Sequence, residues 1–507
     1  MNELLELADE EVRRAREGGD AVDYGAFEEA VAEQTAAVER AVHGVTLAAL
    51  DIDAPFVKVW GKTYRRVHRA ERTFGTLSGP VKVTRTLYRL VGQRRAASLD
   101  VVAQRAGVVD RRWLPGTARA MAHLLAQGTS REARSTSQEL LRLPYSRCSF
   151  ERVGHAVGAE YLSRRAQVEP KLIEAFEMPE ESAAISVAVD RVSVPMEEPV
   201  PPQRDAAPVS AEDRARIASV RPAVKLDERT AAALAEANRT EAEATPPVVA
   251  RNYRMAYCAT VSIHDAKGRA LHTIRHGRMP PTPGSVEAAT HRAAKQLMER
   301  LCADVIALRS KAELPVVLLA DGAPELWRLY DQHLSVAQLG IEPIRLVDAW
   351  HALEYVASAA RLLEARGRRM PGIFRDWRSK LLEQPDGASL VLEELEEAGL
   401  TRATDESGRR PVGDAIRYIG SRLPKMRYAE ARAAGLPIGS GTVEATCKSL
   451  VAIRMKRPGS RWKPRTGDEV LQLRALQLSD RWAPAMERTL KPLRKSVRVV
   501  PRPAKTA

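Results

Sequence analysis

Three short apolar runs in this chain each end on an aspartate: Ala184-Ile-Ser-Val-Ala-Val-Asp190, Pro315-Val-Val-Leu-Leu-Ala-Asp321 and Ile344-Arg-Leu-Val-Asp348. An unbroken apolar run of this length reads as a strand buried on both faces. Helix-like patterns follow the second and third runs, over residues 325–333 and 349–366, and another precedes the second, over 285–311. Between the first and second runs lie two more strand-like stretches, 253–264 and 270–278, joined by the hairpin signal Asp265-Ala-Lys-Gly268. This alternation predicts an α/β fold, a mixed sheet flanked by helices.

Other segments are organised differently. Residues 24–50 carry Phe27, Val31, Val38, Val42 and Val45 at near-helical spacing, which predicts an amphipathic helix that packs internally or pairs with another chain. After the breaker Ser78-Gly-Pro80, Val81, Val83, Arg85 and Leu87 alternate with Lys82, Thr84, Thr86 and Tyr88, which predicts a small β element over 71–90. Three helix-like segments follow, 117–127, 130–142 and 149–161, with Ser149 as the expected N-cap of the last. Their lengths fit a helix-turn-helix, with Arg152 and Arg164 placed to meet DNA, and equally fit an ordinary helical bundle. From Met196 to Ala250 there is no Phe, Trp or Tyr, and Ala, Pro and Glu dominate, so 196–250 reads as a low-complexity insertion, part-helical over 211–244.

Across the 507 residues, 44% are hydrophobic and 28% charged, which excludes wholesale disorder and suits several globular domains. No secretory signal or membrane-spanning run is evident, and the four cysteines, Cys148, Cys258, Cys302 and Cys447, form no metal knuckle. The expected location is the cytoplasm, in association with the nucleoid, without membrane contact. The formal charge of +14 is concentrated at the end of the chain, where residues 448–507 hold 16 Lys and Arg against 4 Asp and Glu, a net of +12. Such a surface attracts a polyanion, and the expected contacts are Lys448, Arg454, Lys456, Arg457, Arg461 and Lys463. A solvated tail is the alternative. Trp462 would stack on a base or anchor the C-terminal helix.

Asp190, Asp321 and Glu444 are the candidate catalytic and metal-binding residues. Hard divalent cations take oxygen ligands, and carboxylates converging from separate elements can hold two for in-line phosphodiester displacement. Singly, each has a plainer reading: Asp321-Gly322 as a turn, Asp190 as a strand end, Glu444 as a first-turn helix acid paired with Lys448. Their joint order, with a basic segment directly after the third, favours phosphoryl transfer on nucleic acid. Asp348 and His351 form an auxiliary D-x-x-H unit, either a helix cap or a contact to a phosphate oxygen.

The segments VAVDRVSVPM, LLADGAPELW, VDAWHALEYV and GLPIGSGTVEATCKSLVAIRMKRPGSRW, the last followed by LQLRALQLSDRW, together resemble the DDE transposases of bacterial insertion sequences, specifically the ISKra-type family. The resemblance covers residues 184–482 and is looser before them. It implies an RNase H-like catalytic domain, with Asp190, Asp321 and Glu444 matching the metal-binding triad and Asp348 and His351 the D-x-x-H signature. The implied activity is Mg²⁺-dependent cleavage at element ends, with Mn²⁺ able to substitute, followed by attack of the exposed 3′-OH groups on target DNA. Terminal inverted repeats and target DNA are the implied partners, handled by a homo-oligomer of at least two protomers.

The corresponding organisation is an N-terminal helical region (1–60), a small β element and linker (61–115), a helix-turn-helix-like DNA-binding region (116–180) and the first part of the catalytic core (181–351). An all-helical insertion (352–436), the Glu helix with its basic segment (437–485) and a basic tail (486–507) complete it. Two features depart from relatives. Arg191 stands where they often carry Gly, which would put a cation beside the metal, and no cysteine lies in residues 1–147, so no zinc is expected there. A non-catalytic DNA-binding protein derived from a transposase and an RNase H-like nuclease are the alternatives.

Overall fold

The computed structural model describes residues 2–18, 23–93, 95–199, 249–280 and 286–502. Helices α1 (Asn2–Glu17) and α2 (Tyr24–Ala49) open the chain. The helix expected over 24–50 is present, but its valine face is not its packed face. Ala36 and Leu47 are buried, Leu47 with Phe74, Val81 and Val83 of the following sheet, whereas Val38, Val42 and Val45 are exposed. Strands β1 (Phe56–Val59), β2 (Lys62–Thr76), β3 (Gly79–Leu90) and β4 (Leu99–Asp100) form an antiparallel meander. The β2–β3 hairpin turns where Thr76 pairs with Gly79, whose φ of +120° favours glycine. Val81 and Val83 point inward and Lys82 and Thr84 outward, as the alternation predicts.

Helices α3 (Val101–Ala106), α4 (Pro115–Gln127), α5 (Ser130–Glu139) and α6 (Arg147–Glu174) follow. The N-cap of α6 is Ser146, not Ser149: the Ser149 amide donates to Ser146 Oγ at 3.3 Å. The helix also runs well beyond residue 161, because Val168 and Leu172 continue the buried stripe set by Phe150, Val153, Val157 and Tyr161.

The second sheet contains β5 (Ala184–Pro199), β6 (Val249–His264), β7 (Ala270–Arg278), β8 (Val316–Ala320) and β9 (Ile344–Val347), in the order β7-β6-β5-β8-β9. Strands β5, β6 and β7 pair antiparallel, while β8 and β9 run parallel to β5. Counted within the sheet the order is 3-2-1-4-5, the arrangement of an RNase H-like fold. Helix α7 (Val286–Arg309) precedes β8, and α8 (Pro324–His333) and α9 (Val336–Leu339) connect β8 to β9.

The β5–β6 ladder extends from Ala184 opposite His264 to Pro199 opposite Val249, so residues 196–199 and 249–250 belong to the sheet, not to the insertion. They stay paired because Met196 is buried and Trp462 closes a backbone bridge, donating to Pro195 O at 3.0 Å and accepting from Glu197 N at 2.9 Å. The rest of the insertion, with its expected helix over 211–244, lies outside the described residues.

Beyond β9 come α10 (Ala349–Ala365), α11 (Ile373–Glu383), α12 (Gly387–Ala398), α13 (Pro411–Gly420) and α14 (Tyr428–Ala433), which fill the region expected to be helical. Next, α15 (Gly441–Thr446) continues through a π-helical turn over Cys447–Ala452 into α16 (Ile453–Met455). Helices α17 (Pro464–Leu478) and α18 (Trp482–Leu490) bury Leu473, Leu476, Met486 and Leu490 against Phe150, Val153 and Val157 of α6. Finally, β10 (Arg498–Val499) pairs antiparallel with β1, placing Val499 opposite Val57. The expected tail over 486–507 is therefore a core-packed helix end and an edge strand as far as residue 502.

Candidate functional site

Sheet register brings together the three aspartates that close the apolar runs. Each β5 residue from Ile185 to Ala188 faces the β8 residue 131 positions later, an offset that carries Asp190 to Asp321. Each β8 residue from Val317 to Ala320 faces the β9 residue 27 positions later, which carries Asp321 to Asp348. All three carboxylates thus stand at one level, Asp321 and Asp348 just past the C-terminal ends of β8 and β9 and Asp190 in the middle of β5, which runs on to Pro199 and so does not end at Asp190 as expected. Parity fixes their face. Ile185, Val187 and Val189 pack with Val316, Leu318, Ala320 and Val347 in one core, whereas Ala184, Ala188, Val317, Leu319 and Leu346 pack in the other. Asp190, Asp321 and Asp348 fall on the second face, which also receives Val443, Cys447 and Leu450 from the Glu444 helix.

Each acid is oriented locally. Asp190 Oδ1 accepts from the Arg191 amide at 2.6 Å, and its Oδ2 lies 3.5 Å from the donating Cys447 Sγ. Cys258, opposite Asp190 in the ladder, together with burial, pushes the Cys447 thiol far up, so it remains a neutral donor. Asp321 Oδ1 accepts from the Ala323 amide at 3.0 Å in the turn that starts α8. Its carbonyl accepts from Tyr418 Oη at 2.9 Å, while Arg422 donates to the adjoining Gly322 carbonyl at 2.8 Å. Gly322 has a φ of +92°, and a Cβ there would meet Arg422 Nε at 2.4 Å.

Asp348 is fully buried and ties three elements together. Its amide donates to Ala320 O at 2.9 Å, its Oδ1 accepts from the His351 amide at 2.9 Å as the N-cap of α10, and its Oδ2 accepts from the Ser440 amide. Burial opposes its charge, but the hydrogen bonds from His351 and Ser440 prevail and hold its carboxyl down to about 2. His351 moves the other way, raised to about 9 chiefly by its hydrogen bond to Asp348 and against burial, so it is an imidazolium at neutral pH. Its Nδ1 lies 3.7 Å from both Asp348 Oδ1 and Glu444 Oε1.

Glu444 is half exposed and accepts from Ser440 Oγ at 3.5 Å. Burial, then the negative charges of Asp348 and Asp190, push its carboxyl up against the opposing His351. The glycine before Ser440 is required by packing: a Cβ on Gly439 would lie 2.7 Å from Trp350 Nε1. Asp348, His351 and Glu444 each bring a ligand atom within 4.8 Å of the others, a set that takes a divalent cation only when His351 gives up its proton, since an imidazolium offers no lone pair. Asp190 and Asp321 are not part of that set, so among the described residues the expected triad of Asp190, Asp321 and Glu444 is not the group gathered around one ion position. Asp190 and Asp321 each accept one backbone amide, which aims the carboxylate while leaving lone pairs available, and Glu444 sits among anions that a cation would relieve.

Arg191 does not point its charge at the acids. Its guanidinium pairs with Glu325 in the first turn of α8, so the expected cation beside the metal site is drawn off by a carboxylate. The basic segment divides in two. Lys448, Lys456, Arg461 and Lys463 are exposed, Lys463 lying 3.8 Å from Glu197. Arg454, expected at DNA, is instead buried: it donates to Leu125 O at 3.2 Å, and burial lowers its guanidinium to about 10. It is held under Trp462, whose Nε1 donates to Met455 O at 3.0 Å, so the indole serves as the anchor of this loop. Arg457 pairs with Glu132 at 2.6 Å. In α6, Arg152 pairs with Asp110 at 2.9 Å and Arg164 with Glu160 at 2.6 Å.

Sequence reasoning missed Tyr418, Arg422, Ser440 and Cys447 as parts of this site. Ser440 and Cys447 carried a usable signal, since they lie four residues before and three after Glu444 and so share its helical neighbourhood. Tyr418 and Arg422 reach the Asp321 turn from a helix about a hundred residues downstream, which no local pattern marks.

No family model and no curated protein matches the chain, so the ISKra-type resemblance has no support beyond the motifs themselves. Among solved structures, the Drosophila P element transposase strand transfer complex is similar at a TM-score of 0.34 and 12% identity, over 71% of this chain and 90% of that chain. At that score nothing is carried over from it.

Proposed function

We propose that the chain is a DDE transposase that cleaves DNA at the ends of an insertion sequence and joins the exposed 3′-OH groups to target DNA. The observation that carries this reading is the convergence of Asp190, Asp321 and Glu444 on one face at one edge of an RNase H-like sheet. In this reading those three residues hold Mg²⁺ or Mn²⁺. Bound there, two such ions supply activation of the attacking oxygen and stabilisation of the leaving oxygen in an in-line displacement. The chain's own residues prepare the site. Asp348 fixes the Ser440 turn and hence the start of the Glu444 helix, and the His351 imidazolium offers a hydrogen bond to a nonbridging phosphate oxygen.

DNA is proposed to run from this edge over Lys448, Lys456, Arg461 and Lys463, whose exposed charges suit phosphate contacts. The residue 116–180 helices are proposed to recognise element ends, and synapsis of two ends to need a homo-oligomer. The non-catalytic alternative rested on Arg191, and the Glu325 ion pair removes that reason.

The test uses a DNA fragment spanning the gene and its flanks, incubated with the protein and Mg²⁺ or Mn²⁺, beside a Glu444→Gln control. Discrete metal-dependent ends with strand-joined products, absent from the control, support the transposase. Cut ends that are never joined point to a nuclease, and sequence-specific binding without cleavage points to a DNA-binding descendant.

A further inference from the structure

Large aromatic side chains are normally buried or hydrogen-bonded, yet Trp350 keeps 52% of its surface exposed one residue from His351 and two from Asp348. Two constraints hold it at the mouth of the acidic site. Its backbone lies in the first turn of α10, capped by Asp348, and the edge of its indole, Nε1 and Cδ1, rests against Gly439 of the turn before Glu444. The absence of a side chain at Gly439 is what lets the ring approach, and the same turn supplies the Ser440 amide to Asp348. The indole is therefore fixed by the elements that fix the carboxylates. Further along α10, Tyr355 is also exposed and stacks on Tyr418 at 4.1 Å and 18°. Arg422 covers Tyr418 at 4.3 Å from the ring centroid. This second stack ends at the Asp321 turn, where Tyr418 and Arg422 donate to backbone carbonyls.

We infer that Trp350 is a stacking platform for an unpaired nucleobase next to the scissile phosphate, so that the site selects DNA that is locally single-stranded. The inference rests on the proposed action on DNA. The chemistry of the surface favours a base over an apolar partner. The Cβ position of Gly439, which would meet the indole edge at 2.7 Å, lies 3.7 Å from Asp348 Oδ2, so the ring stands beside charged groups, where a hydrocarbon surface would desolvate charge without replacing its hydrogen bonds, whereas a base presents a π-face together with polar edges. A duplex keeps its π-faces stacked internally, so only an unpaired or extruded base can use the platform.

The full-length protein is titrated, in Ca²⁺ to avoid cleavage, with a fluorescein-labelled 30-base-pair duplex and with the same duplex carrying a two-nucleotide single-stranded gap that contains 2-aminopurine. The wild type is expected to bind the gapped DNA about tenfold more tightly and to quench the 2-aminopurine through stacking. Trp350→Ala is expected to lose both the preference and the quenching while binding the intact duplex as before, and Trp350→Phe to keep most of both. Retention of the preference and the quenching by Trp350→Ala overturns the inference and leaves the transposase reading standing. Failure of the wild type to bind either DNA overturns both. Equal far-UV circular dichroism of the three proteins establishes that the alanine variant is folded.

Discussion

The acidic edge of the second sheet and the basic segment after it carry opposite surpluses of charge, and the fold treats them in opposite ways. At the edge, Glu444 is pushed up by burial and by Asp348 and Asp190, with one imidazolium to offset them. In the basic segment several cations are already taken up inside the protein. Arg454 donates to Leu125 O, Arg474 donates to Ser449 O and Ala126 O at 2.7 and 2.9 Å, and the half-buried Arg457 meets Glu132, whereas Arg465 stays exposed and pairs with Glu469 of its own helix. The difference teaches that net charge along a chain measures neither the charge a site presents nor the charge available to a ligand. The edge keeps its acids crowded together, while three of the five arginines from Arg454 to Arg474 are tied to α4 and α5.

The largest effect is expected at the acidic edge. Glu444→Gln should lower metal-dependent DNA cleavage by at least about 10²–10³-fold, the range for removing a group that stabilises developing charge. Its midpoint of thermal unfolding should stay level or rise, because the half-exposed carboxylate makes long contacts, 3.5 Å to Ser440 Oγ and 3.7 Å to His351 Nδ1, and its charge is opposed by Asp348 and Asp190. A large loss of stability instead would mean that the acid is structural, and the contrast between the regions would break.

Next comes Arg474→Met, which leaves the carbonyls of Ser449 and Ala126 without their donor and should cost about 2–4 kcal/mol in denaturant unfolding. The salt slope of DNA binding should not change. Should the slope fall by about one with stability untouched, the arginine would be a phosphate contact and its burial misread.

A smaller effect is expected of the exposed cations. Lys456→Gln and Arg461→Gln should each reduce the slope of log affinity against log salt by about 1 and leave stability within about 0.5 kcal/mol. An unchanged slope in both would remove this segment from the DNA path. Truncation after residue 485 would not serve as this test, since it also removes the buried Met486 and Leu490 and the strand that covers β1.

The smallest effect is expected of Arg191→Met. Because the guanidinium is already paired with Glu325, cleavage should change less than about threefold and stability by less than about 1 kcal/mol. A strong rise in metal affinity on this substitution would show that the arginine repels the cation after all.

The sequence by itself determined the elements whose signals are local. Apolar runs set the first half of β5, β8 and β9, alternating burial set the β2–β3 hairpin, and the aspartates closing those runs announced a charged edge, although β5 continues past Asp190 to Pro199. Asp348 was legible as a helix cap for the same reason, since a cap needs only its own next three residues. Where the pattern was local but ambiguous, the reading failed: the valines of α2 have helical spacing, yet Val38, Val42 and Val45 are exposed and Leu47 packs on the sheet. What tertiary structure alone decided was register and partnership. Offsets of 131 and 27 residues align the three aspartates, a glycine at 439 admits an indole from 350, and buried carbonyls at Leu125 and Ala126 claim arginines more than three hundred residues away. Those outcomes depend on which strands pair and which polar groups lose water together, and both are properties of the packed chain.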